Sequence, residues 1–287
     1  MKNQLTLKSI FDFFLTKIII GIVVVGGSVA LVEWVRQFLP VKNQQANELT
    51  EAIIGIAVIS LALFSYILFS RYYEKREITE LSFTVFCKNA LMGLLTGLIL
   101  QSVVIVVLYL AGGYFIIQVN PLSFLIPGFT AAIIAGFVAE IMIRGIIFRL
   151  TEEKLGTVIA LIISVLLFAV MHSGVQGATL LAVLATSIQA GILSSAVYVF
   201  SRSLWFPVFL HFAWDFAEPG IYGGVNPGIT IEKSLFTSKI TGSTLLTGGQ
   251  FGPGNSLQAG LFCLITGVLF LWLAKRKNNF INPSWKK

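Results

Sequence analysis

The sequence is short of almost everything that titrates. Its 287 residues include two histidines, two cysteines and 13 acids, and charged residues of all kinds make up 11%. Cys87 and Cys263 stand far apart without a C-x-x-C partner; they give no sign of a disulfide framework or a thiolate zinc site and read as two membrane-level thiols. So few charges, with 56% hydrophobic residues and a mean hydropathy of +0.88, exclude an ordinary water-soluble fold of this length. The net charge is +7, yet the basic residues are scattered among loops rather than gathered on one face, which argues against a nucleic-acid partner. No internal repeat is visible, and only Gln101 and Gln189 would extend a polar path. Both points count against a transporter built on duplicated halves.

What the chain has instead is apolar runs. A spanning helix needs roughly 20 mainly apolar residues, and about eight stretches qualify once their flanks are included. They run from Ile18 to Val35, Ala52 to Ser70, Leu91 to Leu110, Leu125 to Phe148, Thr157 to His172, Leu180 to Phe200, Leu204 to Phe216 and Leu257 to Ala274. The fifth and seventh are short and carry the histidines, which suits the inside of a bundle better than its lipid face. The first run is closed by Glu33 and Trp34 with no A-x-A-like site, and reads as a retained span.

Basic residues then orient the bundle. Lys2, Lys8, Arg71, Lys75, Arg76, Lys88, Arg149, Lys154, Arg202, Lys275, Arg276, Lys277, Lys286 and Lys287 fall on one side; Arg36, Lys42, Lys233 and Lys239 fall on the other. The positive-inside rule places both termini in the cytoplasm. The segment from Arg71 to Lys88 reads as an amphipathic linker on the cytoplasmic surface. The Gly-, Thr- and Ser-rich stretch from Glu218 to Ser256 reads as an irregular extracytoplasmic loop, a solvated connector.

Ionisable groups inside apolar helices are costly, about 2.5 to 3.5 kcal/mol each on an insertion scale, so those present mark a function. Glu140 precedes Arg144 by one helical turn and can neutralise it. Taken alone, that pair reads equally well as a packing device. Phe168 and His172 share a face of the fifth span, and His211 lies one turn before Asp215 in the seventh. A carboxylate at that spacing can orient an imidazole and select its tautomer. Three apolar helices, each with one such pair, are hard to explain by packing alone.

These residues resemble the motifs of the CPBP family, also called Abi, the intramembrane CAAX-processing and bacteriocin-processing proteases. The family's E-E-x-x-x-R, F-x-x-x-H and H-x-x-x-N/D read here A-E-I-M-I-R from Ala139, F-A-V-M-H from Phe168 and H-F-A-W-D from His211. The lead-in residues Gly191, Tyr198, Ser203, Leu204, Trp205 and Pro207 match its context as well. The resemblance covers roughly Pro127 to Phe216. It implies an all-α polytopic membrane bundle with a CPBP-like catalytic core at 125–217, preceded by spans and a linker at 1–124 and followed by a loop and a last span at 218–287. It further implies an integral protein of a bacterial plasma membrane that hydrolyses a membrane-associated or lipidated peptide with activated water.

The resemblance assigns the site to Glu140, Arg144, His172, His211 and Asp215. In the family the leading glutamate activates water together with the second-motif histidine, while the second glutamate braces the arginine. Here the leading position is Ala139, so either Glu140 serves as base or the site is weak or dead. His172 is the expected imidazole, with His211 and Asp215 at the oxyanion, in a cavity opening to the cytoplasm or the interface. A zinc ion held by His172, His211 and Glu140 is the competing arrangement, although no H-E-x-x-H is present. Ala139 also feeds a different class, a non-catalytic pseudoprotease acting in membrane binding or bacteriocin immunity.

Overall fold

A computed structural model describes residues 13–38, 44–225 and 233–286, with backbone alone for 44–48. Lys2, Lys8, Lys42, Lys287 and part of the long loop lie outside the described residues. Among the described residues six helices are long and apolar enough to cross a membrane: α1 (Phe14–Arg36), α2 (Leu49–Tyr73), α3 (Phe83–Leu110), α4 (Leu122–Leu155), α6 (Leu180–Ser201) and α8 (Leu257–Arg276). Between them stand the shorter α5 (Thr157–Ser173) and α7 (Trp205–Phe216), the two histidine-bearing runs. The chain is an integral membrane protein, a helical bundle of the class its composition demands.

Helix α7 is the axis of the bundle, and glycines put it there. Gly93 and Gly97 on α3 form a G-x-x-x-G step that lets two backbones touch. A Cβ at Gly93 would lie 2.6 Å from the carbonyl oxygen of Phe206, and one at Gly97 would lie 2.6 Å from that of Leu210. On the other flank, a Cβ at Gly136 of α4 would sit 3.0 Å from the Phe212 nitrogen. Most of α7 is therefore buried, including Trp205, Phe206, Trp214 and Asp215. Gly97→Leu is expected to cost about 3 kcal/mol or more, because backbone cannot yield as a side chain can. A lower unfolding midpoint and loss of monodisperse protein in detergent would register it, while Gly27→Leu, where nothing lies within 4 Å, leaves both unchanged.

One end of the bundle is closed by ion pairs. The stretch from Arg71 to Lys88 is not the surface linker the sequence suggests. After α2 it runs without regular structure as far as Phe83 and turns Glu74, Arg76 and Glu80 inward, while Arg71, Lys75, Glu77 and Lys88 stay exposed and Phe83 is 81% exposed. Glu80 is buried, pairs with Arg76 at 2.6 Å and accepts from the buried Tyr66 hydroxyl. Arg149 reaches Glu74 at 2.5 Å and Glu153 at 2.8 Å, and Arg202 reaches Glu152 at 2.6 Å. Burial by itself would raise the Glu80 carboxyl, but the hydrogen bond and charge of Arg76 outweigh it and hold it below the ordinary carboxylate range. The stabilisation from this anchor is complete above that range and fades as pH falls through the depressed value.

The opposite end carries a two-stranded antiparallel sheet, β1 (Tyr114–Val119) on β2 (Phe236–Ile240). The long connection that contains β2 is a solvated connector only in part. Residues from Phe251 to Ser256 are all buried, packed beside α6 and the start of α8. Fully buried Glu218 holds this segment by accepting the Gly254 N–H at 2.6 Å, and a Cβ at Gly254 would come within 2.4 Å of the other carboxylate oxygen. Ser256 then caps α8 by accepting from the Ala259 N–H.

Candidate active site

Just after Glu140 the hydrogen bonding of α4 widens into a π-helical stretch, Ile141–Phe148. Such stretches are uncommon and recur at functional sites. Glu140 and Arg144 both have no solvent exposure, and Nη1 of the arginine donates to Oε1 of the glutamate at 3.2 Å. The same oxygen lies 2.9 Å from Nδ1 of His211, and Nε2 of His211 lies 3.2 Å from Oδ2 of Asp215. Arg144, Glu140, His211 and Asp215 thus form one row across α4 and α7, two helices brought together at Gly136. A ring with a proton on each nitrogen donates to both carboxylates and balances the row's charge.

His172 joins the row through an aromatic ring rather than through a hydrogen bond. The Arg144 guanidinium stands 5.0 Å above the Phe168 ring, and that ring stacks on His172 at 6.0 Å and 22°. His172 Nδ1 lies 3.0 Å from the Phe168 carbonyl oxygen. A carbonyl only accepts, so Nδ1 carries a proton, and in the neutral ring the lone pair is then on Nε2.

A cavity of about 570 Å³ lies against these groups. His172, His211 and Asp215 line it, and so does Ala139. Glu140 and Arg144 do not reach the cavity surface; they stand behind it. The sequence joined all five residues in one site, and the structure brings them together as three on the wall and two in its support. It also adds residues that the motifs do not name. Thr186, Gln189 and Asn255 supply polar atoms to the wall, and Glu33 arrives from α1. The Thr186 hydroxyl donates to Asn255 Oδ1 at 2.5 Å, and Asn255 Nδ2 donates to the Phe251 carbonyl at 2.7 Å, so the buried segment before α8 forms part of the wall. Most of the remaining lining is aliphatic, including Val58, Ile134 and Val138.

The zinc arrangement does not fit these residues. Both nitrogens of His211 face carboxylate oxygens, which leaves no lone pair for an ion. Among the described residues no three His, Cys, Asp or Glu side chains gather as a ligand set, so His172, His211 and Glu140 do not assemble as one.

The bundle carries its motif row within a stretch that is similar to a known family of membrane proteases. Residues 121–217 match the Rce1-like family, described as type II CAAX prenyl endopeptidase Rce1-like. The matched stretch runs from α4 to α7 and contains all three motifs, in agreement with the CPBP resemblance. No curated protein and no solved structure matches the chain.

Proposed function

We propose that the chain is an intramembrane peptidase that hydrolyses a membrane-associated peptide in this cavity, with His172 as general base. The observation that carries the reading is the fixed tautomer of His172: Nδ1–H is committed to the Phe168 carbonyl, and the basic Nε2 belongs to a ring on the cavity wall. Nε2 takes a proton from water as the water oxygen attacks the scissile carbonyl, and returns it to the leaving nitrogen when the C–N bond breaks. His211 donates to the oxyanion of the tetrahedral intermediate by turning its Nε2–H from Asp215 to the new oxygen, while Glu140 keeps hold of Nδ1. Removing one such donor typically costs about 10²- to 10³-fold in rate. Glu140 positions His211 and neutralises Arg144, a role different from the base its place beside Ala139 suggests.

The aliphatic wall suits an apolar or lipidated segment, and the family match favours peptide hydrolysis over a bacteriocin-immunity role. Purified protein in liposomes, given a panel of prenylated and unmodified membrane peptides, tests the reading by mass spectrometry of the products. Cleavage that falls by about 10²-fold or more in His172→Ala is expected, the scale of a lost general base. Cleavage that is absent in the parent and appears in Ala139→Glu would make the parent a pseudoenzyme.

A further inference from the structure

We infer that the cavity opens at the non-cytoplasmic face of the membrane, so the peptide it takes is one anchored in the outer leaflet rather than a prenylated tail of a cytosolic protein. The substrate clause rests on the peptidase reading; the sidedness does not.

The helices alternate in direction, and that sorts the molecule into two ends. At one end lie the last turns of α1, α5 and α7, the first turns of α6 and α8, and the β1–β2 sheet. The groups that line the cavity cluster towards this end. Glu33 is three residues from the end of α1 and His172 is one residue from the end of α5, while Asp215 lies six residues before the end of its helix, which continues past α7 as a π-helical turn to Ile221. Thr186 and Gln189 lie in the first half of α6, and Asn255 stands just before α8. His211 sits a single turn deeper. Met171 on the cavity wall is 53% exposed and the Glu33 side chain 46%, so the mouth is at this end, with aliphatic residues below it.

The other end holds the basic residues. Lys17, Arg71, Lys75, Arg76, Lys88, Arg149, Lys154, Arg202, Lys275, Arg276 and Lys277 all belong to it, against Arg36, Lys233 and Lys239 at the cavity end. Several pair with acids, but orientation follows the count of Lys and Arg in short loops rather than net charge. That bias fixes the basic end in the cytoplasm and turns the mouth outwards. A cytosolic peptide would have to cross nearly the whole bilayer to reach His172. A segment emerging on the outer surface enters within about one helical turn of it.

The chain holds its own marker for the test. Cys87 is exposed at the basic end, and Cys263 is buried. A membrane-impermeant maleimide is expected to label the parent protein in sealed inside-out vesicles and not in right-side-out ones. Met171→Cys in a Cys87→Ser background is expected to show the reverse, and Glu33→Cys in the same background provides a second reporter should the first fail to fold. Labelling of both reporters only in inside-out vesicles, or equally in both kinds, overturns the sidedness. A membrane-anchored peptide added outside each kind of vesicle separates the two readings. Cleavage only in right-side-out vesicles supports both, and cleavage only in inside-out vesicles overturns this inference. Outward labelling with no cleavage at either face removes the peptidase reading and its substrate clause while the sidedness stands.

Discussion

Ala139→Glu is expected to raise the rate of peptide cleavage by about 10²- to 10⁴-fold, the range that a positioned acid–base group contributes. Ala139 lines the cavity together with His172, His211 and Asp215, whereas Glu140 does not. A carboxylate introduced at 139 therefore faces the same space as the Nε2 lone pair and shares the proton taken from water. The Arg144–Glu140–His211 contacts behind the wall are not called on. The measurement is kcat/KM for one cleaved membrane peptide in liposomes, parent against variant. His172→Ala added to Ala139→Glu is expected to remove most of the gain, since a carboxylate alone lacks the partner imidazole. An unchanged rate in Ala139→Glu, with His172→Ala still abolishing activity, would mean that one imidazole suffices and the missing glutamate limits nothing.

Arg144→Met is expected to destabilise the protein by about 3 to 5 kcal/mol, because it leaves the buried row of Glu140, His211 and Asp215 with one negative charge in excess. Arg144 and Glu140 both have zero exposure, and the second oxygen of Glu140 has no hydrogen-bond partner among the described residues. Arg144 is in the same position, with Nε and Nη2 unpartnered and the guanidinium resting on Phe168. The pair is thus close to the least satisfied arrangement that still holds, and losing either member exposes the desolvation cost of the other. Adding Glu140→Gln to Arg144→Met is expected to recover a good part of the loss, a coupling read as non-additive unfolding midpoints in detergent. Additive losses would show that the ion pair does not act as a unit.

Much of this was legible because membrane helices announce themselves. The eight apolar runs fall on the six described helices long enough to span and on the two shorter ones that carry the histidines, and the spacing of Glu140 with Arg144, Phe168 with His172 and His211 with Asp215 places each pair on one helix face. Adjacent residues are where such reading fails. Successive side chains on a helix point about 100° apart, so Glu140 cannot inherit the position of Ala139 merely by being next to it. The buried segment from Phe251 to Ser256 was hidden for another reason. Its glycines and Pro253 look like solvated loop, and the ties that draw it inside come from far along the chain, Glu218 on Gly254 and Thr186 on Asn255. Thr186, Asn255 and Glu33 reach the wall through contacts between distant helices that no local pattern records. The Gly93 and Gly97 step was a readable signal, a G-x-x-x-G that tells where α3 admits another backbone.

The row of Arg144, Glu140, His211 and Asp215 has a last consequence. With a proton on each ring nitrogen of His211 it holds as many cations as anions. An electric field across the bilayer does work of about 2.3 kcal/mol per elementary charge per 100 mV, but it acts on net charge. A balanced row feels no net pull along the membrane normal, so energised and de-energised membranes present the same site, and turnover should be indifferent to voltage.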